Sequence, residues 1–195
     1  MKRIEIRGQI GDQIIAEDIR KEIMDAAGED ILIDMNSPGG VVTDGMVIFN
    51  ALAQHEGKVT VHIDSMCASI ATIVSCAADH VIMNDTANFM IHRVWTVAVG
   101  NASDFRKTAE IMEMMDAELA EVYAEKTGSE AGRILDLMEA ETWMTAQEAL
   151  NAGFIDEINV VKGAPKAEAG MSDDMRKQFV ASLAKVRAFG LRKQV

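Results

Sequence analysis

Within the stretch DSMCASIATIVSCA, Asp64 to Ala77, three side chains could act as nucleophiles: Ser65, Cys67 and Ser69. An apolar strand turns there into an apolar helix. A residue at the first turn of a helix sits near the positive end of the backbone dipole, beside N–H groups that no intrahelical carbonyl takes. The small Cys67 and Ala68 let another backbone come near. Such a place suits a nucleophile whose oxyanion is held by backbone donors, although the same residues also make a tight turn packed with small side chains. A second feature is NSPGG, ending at Gly39 and Gly40. Adjacent glycines permit positive φ and close approach of a second chain, so the loop could offer N–H groups to an oxyanion or pair with an extended peptide. All four residue types also favour an ordinary turn. A third is His92, at the end of NFMIH, where the backbone could aim a general base into a cleft or simply hold an edge residue. His55, His62 and His80 have no second reactive group near them in sequence. Glu139 and Glu141, ahead of TWMTAQEA, are the carboxylates that could orient an imidazole, in a chain where most carboxylates are solvated surface.

The elements that must position these groups follow from periodicity. KRIEIR alternates as a short strand ended by Gly8, and Ile15, Ile19, Ile23 and Ala27 mark a helix face that stops at Gly28. ILIDM is a second strand, leading into NSPGG. Val42, Met46, Phe49 and Ala53 mark the next helix, closed by Gly57. KVTVHID is a third strand, Ser69 to Ala78 a short apolar helix, and HVIM and NFMIH are further strands. A long helix is expected from about Asp104 to Ala124, with Met112, Met115, Leu119 and Val122 at three-four spacing. Thr127 with Glu130 reads as a capping box opening a helix through Leu137, and Thr145 with Glu148 as another opening a helix that ends at Gly153. FIDEINVV is the last strand. Strands alternating with helices imply an α/β domain with mostly parallel pairing. The expected organisation is a domain over 1–162, a linker over 163–171 and a basic amphipathic helical tail over 172–195.

Bulk properties narrow the function classes. At 195 residues the chain has room for one domain with a sizeable core, and 49% hydrophobic with 26% charged residues is ordinary for a soluble globular protein. No apolar run reaches the roughly 18–20 residues that span a bilayer, and MKRIEIRGQIGD has no secretory signal. A cytoplasmic setting is therefore expected, with Cys67 and Cys76 reduced and no disulfide. Neither cysteine spacing nor the scattered histidines matches a metal site. A net charge of -12 argues against nucleic acid as a partner. From Ser172 onward six Lys/Arg stand against two Asp, so the rest of the chain carries about -16.

Taken in order, NSPGG, CAS followed by a helix, MIH, and an acid ahead of TAQEAL and GFIDEI resemble the proteolytic subunit of the Clp protease. The likeness runs from Arg3 to about Val161. GRIL, ETWMTAQEALNAGFIDEI and MIHRVWTVAVGNASDFRK look most like its phage and prophage branch, often described as head-maturation proteases. The resemblance implies a ClpP/crotonase-like α/β fold with parallel β-sheet layers, a handle helix and flanking helices. It also implies a serine endopeptidase with a Ser-His-acid triad. Ser69 matches the nucleophile, His92 the general base, and Glu141 the position of the triad aspartate, with Glu139 as its rival. Gly40 and Ile70 match the N–H donors of the oxyanion hole, and the backbone at Val41 and Val42 would pair with substrate. Homo-oligomeric, seven-membered rings stacked face to face are implied, interlocked by the segment from His92 through the long helix. The partners implied are a polypeptide substrate and either an ATP-dependent unfoldase or phage capsid and scaffold proteins. Neither cofactor, metal, nucleic acid nor membrane is called for.

Three other readings compete. A crotonase-type acyl-CoA enzyme shares the fold but works with carboxylates, and has no need of both Ser69 and His92. A membrane peptidase with a Ser-Lys pair would need a lysine after the serine, and none occurs before Lys107. A non-catalytic ring-forming scaffold would have no use for an intact serine and histidine.

Overall fold

In KRIEIR, Ile4 and Ile6 are buried while Arg3, Glu5 and Arg7 are not, the alternation of a strand with one covered face. The same logic repeats along a computed structural model that describes residues 1–163. The expected linker beyond Gly163 and the basic helix over 172–195 lie outside the described residues. The elements in chain order are β1 (Lys2–Arg7), α1 (Ala16–Asp25), β2 (Ile31–Ser37), α2 (Val42–Ala53), β3 (Val59–Ala68), α3 (Ile70–Cys76) and β4 (His80–Asn84). They continue with β5 (Asn88–Ile91), α4 (Ala102–Thr127), α5 (Ala131–Glu139), β6 (Thr142–Thr145), α6 (Ala146–Asn151) and β7 (Glu157–Asn159). This is the α/β architecture expected.

Strands β1-β2-β3-β4-β7 run parallel side by side, with β5 on β3 and β6 antiparallel on β5. The junction that matters lies in β3. Its first half, Thr60 to Ile63, pairs with β4; its last residues, Met66 to Ala68, pair with β5 instead. Between the pairs Met35–Ile63 and Ser37–Cys67, β3 carries two more residues than β2, an irregularity that re-aims the strand. The chain thereby leaves the main sheet and delivers Ser69 beside the end of β5.

Ile33, Met35, Val61, Ile63, Val81 and Met83 form the buried face of the sheet, beneath helices α1 to α3. Helix α3 is buried nearly all round, with Ile70, Ile73 and Val74 at 2% exposure or less and its polar Thr72 and Ser75 hydrogen-bonded inside. On the opposite face, Asp34 is buried against Arg3, while His62 and Asn159 both donate to Asn84 Oδ1 at 2.9 and 2.7 Å.

Two local expectations meet a different outcome, and two features appear that the sequence does not announce. Thr127 does not open α5 but closes α4, its hydroxyl donating to the Tyr123 carbonyl at 2.8 Å. Gly128 follows in the left-handed region at φ 69°, which ends the helix, so α5 starts afresh at Ala131 with Glu130 as an N-cap without a side-chain bond. A capping box not read from the sequence, Asn101 with Asp104, opens α4; the box at Thr145 and Glu148 forms as expected. Thr142–Thr145 is a strand that periodicity does not announce, and FIDEINVV contributes only Glu157–Asn159 to the sheet.

Candidate active site

Register places the nucleophile candidate. Ala68 pairs with Met90, and the residue just beyond β3, Ser69, donates its N–H to the Met90 carbonyl at 2.9 Å. Ser69 then turns sharply, with φ 57° and ψ -135°, a combination that L-residues avoid and that costs about 1–3 kcal/mol. The turn is held by three hydrogen bonds. Besides the bond to Met90, the Ser69 carbonyl accepts from the Thr72 N–H at 2.9 Å and from the Thr72 hydroxyl at 2.6 Å. A serine on a strained strand-to-helix turn presents its Oγ outward, clear of both elements.

His92 lies immediately beyond β5, and its Nε2 is 2.7 Å from Ser69 Oγ. The two are 23 residues apart in sequence and meet because β3 and β5 end together. With the imidazole proton on Nδ1, the hydroxyl donates to Nε2, the geometry of a general base poised on its nucleophile.

The antiparallel pairing of β5 with β6 bears on the third group. Its last pair is Ile91 with Thr142, so the residues next along the two chains, His92 and Glu141, leave the ladder opposite one another. Glu141 occupies a turn with φ 48°, and its Oε1 accepts from Trp143 Nε1 at 3.2 Å. Its rival Glu139 is engaged elsewhere, in an ion pair with Arg93, and its side chain is 68% exposed.

The NSPGG loop crosses directly over Ser69. A Cβ built on Gly39 would lie 2.6 Å from the Ala68 carbonyl oxygen and 3.1 Å from Ser69 Oγ, and Gly39 has φ 91°, so glycine is required on both counts. Buried Ser37 fixes the loop: its hydroxyl donates to the Gly8 carbonyl at 2.7 Å and accepts from the Gly39 N–H at 3.1 Å. Ile10 N–H donates to Gly39 O and Val41 N–H to Ile10 O, both at 2.9 Å. Backbone alternation then directs the Gly40 N–H away from Ile10. Ile70 is the first residue of α3, so its N–H has no acceptor within the helix. Val41 has other partners than an extended substrate. Its N–H goes to Ile10, and its carbonyl accepts from Gly45 N–H at 3.1 Å, because Val41 is the N-cap of α2. Val42 is the first residue of that helix.

A family model for Clp protease matches residues 2–162. The chain belongs to the Clp protease family. Among its relatives, the "ATP-dependent Clp protease proteolytic subunit 1" of Protochlamydia amoebophila (strain UWE25) is 32% identical over 165 residues, covering 80% of each chain. The namesake from Leifsonia xyli subsp. xyli (strain CTCB07) is 30% identical over 173 residues, or 85% of this chain and 87% of the relative. Subunit 2 of Tropheryma whipplei (strain Twist) is 29% identical over 163 residues, or 80% of this chain and 91% of the relative.

For a Clp protease family chain, the NSPGG loop is a feature the sequence singles out, but its particular contacts with Ser69, and the part played by Thr72, are not. Gly39, Ser37 and Thr72 act through contacts that depend on how the loop and α3 fold back on Ser69. The double glycine and the Ser-to-Thr spacing of one helical turn are the only traces they leave in the sequence. Cys67, next to the site, is fully buried, and burial pushes its thiol well above the ordinary range. It is therefore held as the unreactive thiol. Among the described residues no cluster of three or more His, Cys, Asp or Glu could hold a metal, and no helix is long and apolar enough to cross a membrane.

Proposed function

We propose that this chain is a serine endopeptidase that cuts polypeptides at Ser69. The observation that carries the reading is the 2.7 Å approach of His92 Nε2 to Ser69 Oγ on a strained strand-to-helix turn. Ser69 Oγ attacks the peptide carbonyl as His92 Nε2 takes the hydroxyl proton, forming the C–O bond of a tetrahedral intermediate. The N–H groups of Gly40 and Ile70 stabilise its oxyanion, an effect of about 3–4 kcal/mol for each well-placed donor. His92 then returns the proton to the leaving amine as the C–N bond breaks. Water, deprotonated by the same imidazole, releases the acyl group and restores Ser69. Glu141, carried opposite His92 by the β5–β6 ladder, orients the imidazole and stabilises its protonated form.

The reading extends to assembly and setting. The chain works in the cytoplasm as stacked rings, with α4 in the contact between them. The likeness of MIHRVWTVAVGNASDFRK supports the phage head-maturation branch, in which capsid or scaffold proteins are the partners, with an ATP-dependent unfoldase as the alternative. Incubation of the assembled protein with reduced, carboxymethylated lactalbumin tests the reaction type. New N-termini that appear with the wild-type protein and vanish with Ser69→Ala are expected. Cleavage that survives Ser69→Ala would overturn the assignment.

A further inference from the structure

We propose that Asp116 of α4 is a positioning residue for His92: it holds the chain just beyond the imidazole, and Tyr123, on the same helix face, holds the turn at Ser69. This rests on the Ser69–His92 reading above and adds the element that keeps the two groups in register.

The inward face of α4 is Asp116, Leu119, Ala120 and Tyr123, all between 0 and 7% exposed. Their spacing of three, one and three places them along one stripe of the helix. Leu119 and Ala120 need only packing to explain them. Asp116 does not, because a buried carboxylate is costly unless it is bonded. It is bonded to the segment that follows the histidine. Asp116 Oδ1 accepts from the Val94 N–H at 2.7 Å, and Oδ2 accepts from Arg93 Nη1 at 3.3 Å.

That segment needs a holder. β5 ends at Ile91, and from His92 to Asn101 the chain has no regular structure to carry its backbone groups. The Arg93 N–H reaches the Met138 carbonyl at 3.2 Å, and Val94 reaches Asp116. His92 is thus fixed on one side by the β5–β6 ladder and on the other by Met138 and Asp116. Two turns further along α4, Tyr123 makes the matching grip on the nucleophile. The Thr72 hydroxyl donates to the Ser69 carbonyl, so the Tyr123 hydroxyl, 2.6 Å away, donates to Thr72. One helix face therefore secures the backbone of both reacting residues.

Labelling of the purified protein by an alkyl fluorophosphonate tests this without a known substrate. Ser69 Oγ forms a bond to phosphorus, fluoride leaves, and His92 takes the hydroxyl proton. The maximal labelling rate reads the alignment of the pair, and the half-saturating probe concentration reads access to the site. Asp116→Leu, similar in size but unable to accept from Val94, is expected to lower the maximal rate by about tenfold or more, the scale of a sub-ångström to 1 Å misplacement, with half-saturation unchanged within about twofold. Asp116→Asn keeps an acceptor for Val94 and should restore the rate to within about threefold of wild type. If Asp116→Leu does not fold, Asp116→Ser, too short to reach Val94 but tolerant of water, reads the same loss. A folded Leu or Ser variant that labels at the wild-type rate overturns the proposal. So does an Asn variant as slow as the Leu variant, or a change confined to half-saturation. If wild-type protein carries no adduct on Ser69, the underlying pair fails, and the positioning role falls with it. If it labels normally but Asp116 proves indifferent, only the positioning role is lost.

Discussion

Ser69 holds a backbone conformation that favours glycine, with φ 57° and ψ -135°. Replacing it with glycine should relieve that strain while removing the nucleophile. We therefore expect Ser69→Gly to be about 1 kcal/mol more stable in urea denaturation, after discounting glycine's greater freedom in the unfolded chain, yet inert to fluorophosphonate. Loss of stability would contradict the strain. The two rival carboxylates separate cleanly at this scale. Glu141→Ala should lower the labelling rate by about two orders of magnitude, whereas Glu139→Ala, which removes only an exposed ion pair with Arg93, should leave it within about twofold. The cysteines offer a further check. Burial pushes the Cys76 thiol up to about 12 and Cys67 higher still, so at pH 8 almost none is in the reactive thiolate form. Iodoacetamide should modify neither in the folded protein and both in denaturant; mass spectrometry of the alkylated protein reads the result. The meeting of Ser69 with His92 is legible in the sequence through the order of their motifs. The double glycine announces a close approach, but not that Ser69 is what Gly39 meets, and nothing local announces Asp116 beneath Val94, because each contact joins segments far apart in sequence.

At the scale of elements, periodicity read the helices and most strands well, because burial of one face imposes a period of two or 3.6 regardless of what lies beyond. It failed where a local signal had two uses. Thr127 precedes Glu130 at capping-box spacing, but Gly128 intervenes in the left-handed region, and the threonine serves the end of α4 instead. β6 went unread because the short TWMT run shows no alternation, and its place is set by pairing with β5. The packing of α2 on α3 makes a sharper prediction. A Cβ on Gly45 would lie 2.2 Å from Ile70 Cγ1, so the helices meet at a glycine packed on the residue that follows Ser69. Gly45→Val should therefore destabilise the fold by about 1–3 kcal/mol and slow labelling of Ser69 in the protein that remains folded. A melting temperature and labelling rate both equal to wild type would show that the helices can part without consequence.

For the whole molecule, the sequence gives charge and fold class but not assembly, because the surfaces that join copies differ little in composition from any other surface. The structure adds one pointer. The first half of α4 and the segment before it expose Val97, Val99, Phe105, Ile111 and Met114, a concentration of apolar side chains along one stretch of the described residues. In the ring reading these residues face another copy. Phe105→Glu with Ile111→Glu should shift the sedimentation profile to smaller species, and an unchanged profile would remove α4 from the contact. The central claim, though, concerns one pair of side chains meeting where β3 and β5 end. The most direct measurement is to treat the purified protein with a fluorophosphonate and locate the adduct by peptide mass spectrometry, with His92→Ala alongside. The account predicts an adduct on Ser69 that is lost in the His92 variant. An adduct elsewhere, or one on Ser69 that forms as fast without His92, would contradict it.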